Sequence, residues 1–464
     1  MIVDRYDPVN VFAMVPQLTL EMEPELAELD HLLDDDAIFQ RVKADLARRH
    51  PQSRTRGRPS TPVEVILRML VIRRLYDWSY EETEQFVADS LVLRQFCRLY
   101  WEATPDDTTL IRWANLIGPA TLQQVHERVV ELARTLKVTR GRKLRTDGTV
   151  VETTIHHPTD SSLLSDGIRV VSRLVRRAKG LVGGAVANGR EVFRDRTRSA
   201  KRLVHQIGDA LRRRGEQAEV RRQEAYRRLL AVTEASLKQA SGVQRLLAGQ
   251  ADKAATKVRA ELAQIAPLIE QVIDQTCRRV FEGTTVPAPQ KLVSLFEPHT
   301  RIIRRGKARQ PTEFGRMVWL DEAEGGIVSR YAILAGNPPD SSHVAASLAY
   351  HERVFGRPPH VFTGDRGVHT AENELSAQLL GVKQVALPQP GAKSAERRTY
   401  ERQRWYRRAL RFRAGVEGRI SVLKRRGFLG QCREKGEDGF GRWVGWGVIT
   451  ANLTTIARTI AARS

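Results

Sequence analysis

Lys143-Leu144-Arg145-Thr146-Asp147-Gly148-Thr149-Val150 is the stretch at which the chain changes its period. Upstream, apolar residues recur at helical spacing. Here Leu144, Thr146 and Val150 fall on one side and Arg145, Asp147 and Thr149 on the other, the alternation of a β-strand. The segment reads as a strand with Asp147 on its polar face. Asp-Gly is also a strong hairpin signal, so the competing reading is a tight turn at residues 147–148.

Downstream, long helices rich in Arg, Glu, Ala and Leu run from residue 166 to about residue 283, with a Gly-rich interruption at residues 180–189. β-type segments resume at residues 292–296, 317–320 and 327–334, the last two joined by the hairpin-like Glu324-Gly325-Gly326. A helix over residues 341–354, a short strand at residues 360–363 closed by Gly364-Asp365, and an apolar run at residues 382–387 follow. Basic helices over residues 395–426 and 440–462 finish the chain. Strands on both sides of so long a helical stretch predict one α/β domain interrupted by a helical insertion, since a structureless loop of that length is uncommon.

Upstream, Ser60, Thr61, Pro62 and Glu64 supply a cap, a first-turn proline and the Glu of a capping box, ahead of Val63, Ile66, Leu67, Leu70, Val71 and Leu75 at helical spacing. A second capping box, Ser79 to Glu82, follows the Asp77-Trp78 break, and Pro105-Asp106-Asp107 precedes a third helix over residues 108–117. Residues 56–135 thus read as a helix-turn-helix-like bundle, although a plain bundle with no DNA role has the same pattern. The resulting division is an acidic leader and basic linker (1–55), a helical DNA-binding domain (56–138), the first part of the α/β domain (139–168), a basic helical insertion (169–285) and the second part of the α/β domain (286–464).

Charge points to the partner. The formal net charge is +22, yet residues 1–46 hold 3 basic and 11 acidic side chains, so the rest of the chain is more basic than the total. Residues 169–230 have 18 basic against 6 acidic side chains and residues 393–435 have 15 against 4. Arg dominates both stretches, and its planar fork matches phosphate oxygens bidentately, which favours nucleic acid. A membrane surface is the weaker partner, because neither stretch adjoins a Trp/Phe-rich apolar face. The uncharged run at residues 443–457 is shorter than the roughly 20 apolar residues a spanning helix needs, and the amino end opens with Asp4, Arg5 and Asp7 rather than as a secretory signal. The expected location is the cytoplasm, with the nucleoid. Cys97, Cys277 and Cys432 fit neither a disulfide framework nor a zinc spacing and read as reduced structural thiols.

Phosphodiester chemistry with two metal ions needs carboxylates at element ends around a cleft, since Mg²⁺ takes oxygen ligands. Asp147, Asp365 and Glu417 meet that requirement, although Gly364-Asp365-Arg366-Gly367 also reads as a tight loop and Glu417 as an offset to its basic neighbours. Arg413, Glu417 and Lys424 are spaced four and seven residues apart, which puts all three on one helical stripe.

At this point the chain resembles the DDE insertion-sequence transposases, most closely the ISNCY group, with an amino-terminal domain similar to that of InsH-type transposases. The resemblance runs through Arg58-Pro59-Ser60-Thr61-Pro62, Trp78-Ser79-Tyr80-Glu81-Glu82, Arg145-Thr146-Asp147-Gly148-Thr149-Val150, Thr363-Gly364-Asp365-Arg366-Gly367 and the helix around Glu417. Related enzymes carry Tyr-x₂-Arg-x₃-Glu-x₆-Lys; Arg413, Glu417 and Lys424 match its last three places, while the Tyr place falls on Leu410, with Tyr406 four residues earlier. The resemblance implies an RNase H-like fold whose first and fourth strands present Asp147 and Asp365, with Glu417 from a following helix. It further implies Mg²⁺, with Mn²⁺ as a substitute, held by these three; phosphate contacts by Arg413 and Lys424; and double-stranded DNA, transposon ends and target, as partner, with a homodimer pairing two ends. The rivals are an RNase H-like nuclease that only hydrolyses and a catalytically inactive DNA-binding descendant. Gly391-Ala392-Lys393-Ser394 lacks the leading Gly of a phosphate loop, His156-His157 lacks a third ligand, and Trp405, Trp443 and Trp446 suit packing better than base stacking.

Overall fold

The computed structural model describes residues 1–6, 21–49, 52, 59–182, 194–304 and 311–463. Most of the linker at residues 51–59 and of the Gly-rich interruption at residues 180–189 lies outside them. Two units are distinguished, one of Met1–Glu152 with Arg316–Ser464, the other of Thr153–Gly315. The second is thus wider than the helical stretch at residues 169–285 read from composition.

Among the described residues, the first unit begins with helices α1 (Pro24–Leu32), α2 (Asp36–Ala47), α3 (Val63–Leu75), α4 (Tyr80–Asp89), α5 (Leu91–Phe96), α6 (Asp107–Ala114) and α7 (Pro119–Thr135). Its strands are β1 (Lys143–Glu152), the main part of β3 (Glu313–Ala323), β4 (Ile327–Ile333), β5 (Val361–Thr363) and β6 (Gln384–Ala386). Helices α12 (Val344–Phe355), α13 (Ala371–Leu379), α14 (Ala395–Arg402), α15 (Arg404–Arg425) and α16 (Gly436–Ala461) complete it. The strand order is β4–β3–β1–β5–β6; β3 and β4 are antiparallel, whereas β5 and β6 run parallel to β1. The Asp147-Gly148 turn does not form: residues 143–152 are one continuous strand. The hairpin between β3 and β4 does, as a three-residue loop between the paired Ala323 and Ile327, with Gly325 and Gly326 at φ of +85° and +77°, left-handed values that glycine adopts without strain.

The amino-terminal helices are not a separate layer. Their core is continuous with Ala323, Ile327 and Phe355 and with Trp446, Ile449, Leu453 and Ile456 of α16. Helix α3 is buried at every position from Val63 to Arg74, so its charged groups need internal partners. The acidic segment read as a leader supplies some of them: Asp34 lies 2.6 Å from Arg68, Asp30 contacts the same guanidinium and Arg98, and Asp35 pairs with Arg128. At the far end of α3, Arg74 donates to the carbonyls of Phe428 and Gly427 and stacks on Trp443. Trp443 and Trp446 are core residues, as packing requires.

Capping shows where local signals hold. Ser79 and Glu82 form the expected reciprocal box. The box expected from Ser60 or Thr61 with Glu64 does not form: the Ser60 hydroxyl accepts from the Val3 N–H, Glu64 is drawn into the Arg68 pair, and Pro62 takes the N-cap position. Ser90 caps α5, and Asp106 caps α6, which starts at Asp107 and ends at Ala114 rather than running over residues 108–117.

The second unit packs α8 (Asp160–Lys179), α9 (Thr197–Leu211), α10 (Glu216–Leu246) and α11 (Lys253–Val280) around Leu164, Leu174, Ile207, Leu229, Leu262 and Ile269. A short strand, β2 (Arg301–Ile303), pairs antiparallel with residues 313–315 at the start of β3. Residues 292–296 are not a strand, contrary to their apolar pattern. Buried Gln275 explains this, because its side-chain amide accepts from the Leu292 N–H (3.0 Å) and donates to the Leu292 carbonyl (3.2 Å), replacing a strand partner.

Two buried histidines make the first unit acid-sensitive. His126 Nε2–H donates to the Val328 carbonyl (2.8 Å) and His351 Nε2–H to the Gly141 carbonyl (2.9 Å), and burial pushes both imidazoles down to about 4. The unfolded chain takes up these protons near pH 6.5, so stability is complete above that value and is lost as pH falls toward 4. The loss should be on the order of 2–3 kcal/mol per residue. Urea midpoints at pH 7.5 and 5 should differ accordingly, and His126→Gln should shrink the difference; equal midpoints would refute the assignment.

Candidate functional site

Asp147 sits in the middle of β1, half-exposed between buried neighbours, and its Oδ1 accepts from the Gly148 N–H at 2.7 Å. Its flanking residues Thr146 and Gly148 are buried, so the carboxylate reaches solvent through a narrow gap in the sheet surface. Arg145 pairs with Thr363 in the parallel β1–β5 register. Carried two residues past the end of β5, that register brings position 365 level with Asp147, on tracks about 4.8 Å apart. Asp365 opens the turn after β5, and its Oδ1 accepts from the Val368 N–H (3.1 Å), which holds the carboxylate at the mouth of the sheet.

Helix α15 is laid along β1 by a single buried guanidinium. Arg145 Nε and Nη2 donate to Glu322 on β3 (3.0 and 2.7 Å), Nη1 donates to the Phe412 carbonyl, and the Phe412 ring stacks on the same group. Gly415 permits the approach: a Cβ there would stand 2.5 Å from Arg145 Nη1. Toward its start α15 packs Tyr406 and Ala409 against Val361 and Ala386, and toward its end Leu423 shares a core with Val151. Because the helix advances about 1.5 Å per residue and the strand about 3.3 Å, Glu417 falls close to the level of Asp147.

The helix is unbroken through Arg413, Glu417 and Lys424, so the three share the stripe expected of them. Glu417 is 70% exposed and 3.4 Å from Arg413. Exposed pairs of this kind contribute about 0.2–1 kcal/mol, so Glu417 is easily redirected. Among the described residues, no three His, Cys, Asp or Glu side chains stand as a metal-holding group in this arrangement. Tyr406 is fully buried in the core beneath α15 and does not take the place left by Leu410.

One carboxylate here was missed in the sequence. Asp340, on the short 3₁₀ turn Asp340–His343, has Oδ2 at 3.3 Å from where a Gly367 Cβ would stand, and Asp365 Oδ1 is equally far from that point. The two carboxylates therefore meet around Gly367. The signal was Pro338-Pro339-Asp340-Ser341-Ser342, which reads only as a helix start. Asp321, by contrast, is structural: buried, its carboxyl pushed up by burial, and bonded to Trp319, Ser347 and Arg330.

The lesser motifs are accounted for without chemistry. His156 meets Asp166 at 3.4 Å and His157 lies edge-on to Phe314, Lys393 pairs with Glu401, and none of the three thiols forms a disulfide, with Cys97 and Cys432 buried. No described helix is long and apolar enough to cross a membrane.

A family model described as Transposase domain (DUF772) matches residues 16–116, the segment that holds α1 to α6. No curated protein and no solved structure matches the chain.

Proposed function

We propose that this protein is a DDE-type insertion-sequence transposase of the ISNCY group, which binds the terminal inverted repeats of its element and catalyses cleavage and strand transfer on an RNase H-like sheet. The observation that carries the reading is the β1–β5 register: Arg145 pairs with Thr363, and continued by two residues it would bring Asp365, in the turn after β5, level with Asp147, while Glu417 is carried by α15, the helix packed along β1. The strand order supports it: a central first strand with an antiparallel pair on one side and two parallel strands on the other is the RNase H-like arrangement. The match of residues 16–116 to a transposase domain points the same way.

The donor set suits Mg²⁺ or Mn²⁺, being oxygen only and open to water. Asp147, Asp365 and Glu417 would hold the ions, Glu417 by leaving Arg413. Bound there, the ions activate the attacking oxygen and neutralise charge on the phosphate. Freed from Glu417, the Arg413 guanidinium is available to a DNA phosphate, and Lys424 lies two turns along the same stripe. Water attack would release a 3′-hydroxyl, and that hydroxyl would then attack a target phosphate. The amino-terminal helices would read the element's ends, and two copies would pair them.

The test is purified protein with Mg²⁺ and a duplex bearing the inverted repeats that flank the coding region. Cutting at the repeat followed by joining to a second duplex is the expected result. Cutting without joining would leave a hydrolytic nuclease; binding without cutting would leave an inactive descendant.

A further inference from the structure

At the opposite edge of the sheet from Asp147 and Asp365, the starts of β1, β5 and β6 lie side by side, because Lys143 pairs with Val361 and Val361 with Gln384. A cleft of about 490 Å³ opens there, lined by Arg142, Lys143, Arg357, His360 and Lys383 over a floor that includes Pro358 and Pro359. No acidic side chain lines it. The nearby Glu324 carboxylate is occupied by the backbone N–H groups of Arg140, Arg142 and Lys143. Arg357 is oriented by its bond to the Arg140 carbonyl (2.9 Å), and Lys143 by the Phe412 ring. Among the described residues, none of these four cations has a carboxylate within ion-pair distance.

We infer that this cleft is a second seat for the phosphates of duplex DNA, apart from the carboxylates. A row of cations without counter-ions at the rigid ends of three strands is electrostatically unfavourable unless an anion is expected. The row spans two strand gaps, roughly 10 Å. Phosphates advance about 3.4 Å per nucleotide along one strand of a duplex, so the row matches about three successive phosphates. Two guanidiniums among the cations favour phosphate, which accepts their fork bidentately. Lys143 is four strand residues, about 13 Å, from Asp147. The seat therefore holds DNA away from the carboxylates and orients it without touching the chemistry. The inference rests on the transposase reading for its choice of DNA.

The experiment measures binding of the full chain to a labelled duplex in EDTA over a series of salt concentrations, so that cleavage plays no part. Each phosphate contact contributes about 0.9 to the slope of log affinity against log salt. Arg142→Ala/Arg357→Ala/Lys383→Ala should flatten that slope by about 2–3 and weaken binding about tenfold or more near 0.1 M salt. Arg142→Lys/Arg357→Lys should retain most of the slope, and the unfolding midpoint of both variants should match wild type, since the altered side chains are exposed. An unchanged slope in the triple variant would overturn the seat while leaving the transposase reading intact. An equal loss of binding to poly-glutamate would overturn its assignment to phosphate. A wild-type chain that bound no duplex would overturn both readings. A flattened slope in a chain that never cuts would support the seat and count against the transposase reading alone.

Discussion

Asp147→Asn should abolish cutting while leaving DNA binding unimpaired. Asparagine keeps the shape and still accepts the Gly148 N–H, so β1 is undisturbed; what disappears is one of the three proposed anionic donors. Ions at such a site supply several kcal/mol of transition-state stabilisation, so the cleavage rate should fall on the order of a thousandfold. Affinity for duplex should be equal or slightly higher, because one negative charge near the phosphates is removed. Titration with Mn²⁺ gives a readout independent of activity: the variant should bind it more weakly than wild type. Glu417→Gln should behave likewise. Undiminished cutting by both variants would refute the three-carboxylate site.

The contrast between these residues and those that surprised us has a physical basis. The alternation at residues 143–152 was legible because a central strand must bury one face whatever its partners are, and the spacing of Arg413, Glu417 and Lys424 was legible because helical geometry is local. Residues 292–296 failed the same test, since an apolar run records burial and not the partner; Gln275, distant in sequence, made the backbone bonds instead. The Ser60 cap failed because Val3 competed for the hydroxyl. Helix α3 looked amphipathic, yet it is buried all round, since its charges are neutralised by Asp30, Asp34 and Glu434 far along the chain. Around Asp340 the sequence signalled only a helix start, because its relevance depends on the β5 turn brought to it by folding. What depended on local periodicity was readable; what depended on which distant group arrives first was not.

Arg145→Met should destabilise the first unit by about 3–5 kcal/mol, the expected cost of leaving a buried charge without its partner. Glu322 is 2% exposed and Arg145 10%, and their paired donors and acceptors leave no route for water to take over. One neighbour moderates the loss. Arg419 interacts with both groups: burial holds its guanidinium below the usual range, Glu322 works against that lowering and Arg145 adds to it. With Arg145 gone, Arg419 still attracts Glu322, so the lower end of the range is expected. The double variant Arg145→Met/Glu322→Met separates stability from position. Replacing a whole buried pair by apolar groups of similar volume is often neutral, so much of the unfolding free energy should return. Cutting should not return with it, because the double variant still lacks the donor to the Phe412 carbonyl and the stacking on its ring, the contacts that lay α15 and Glu417 along β1. Urea unfolding and cleavage rates on the two variants read the two effects independently. A single variant within about 1 kcal/mol of wild type would show that the pair does not hold the sheet, and full cutting by the double variant would show that Arg145 does not position α15.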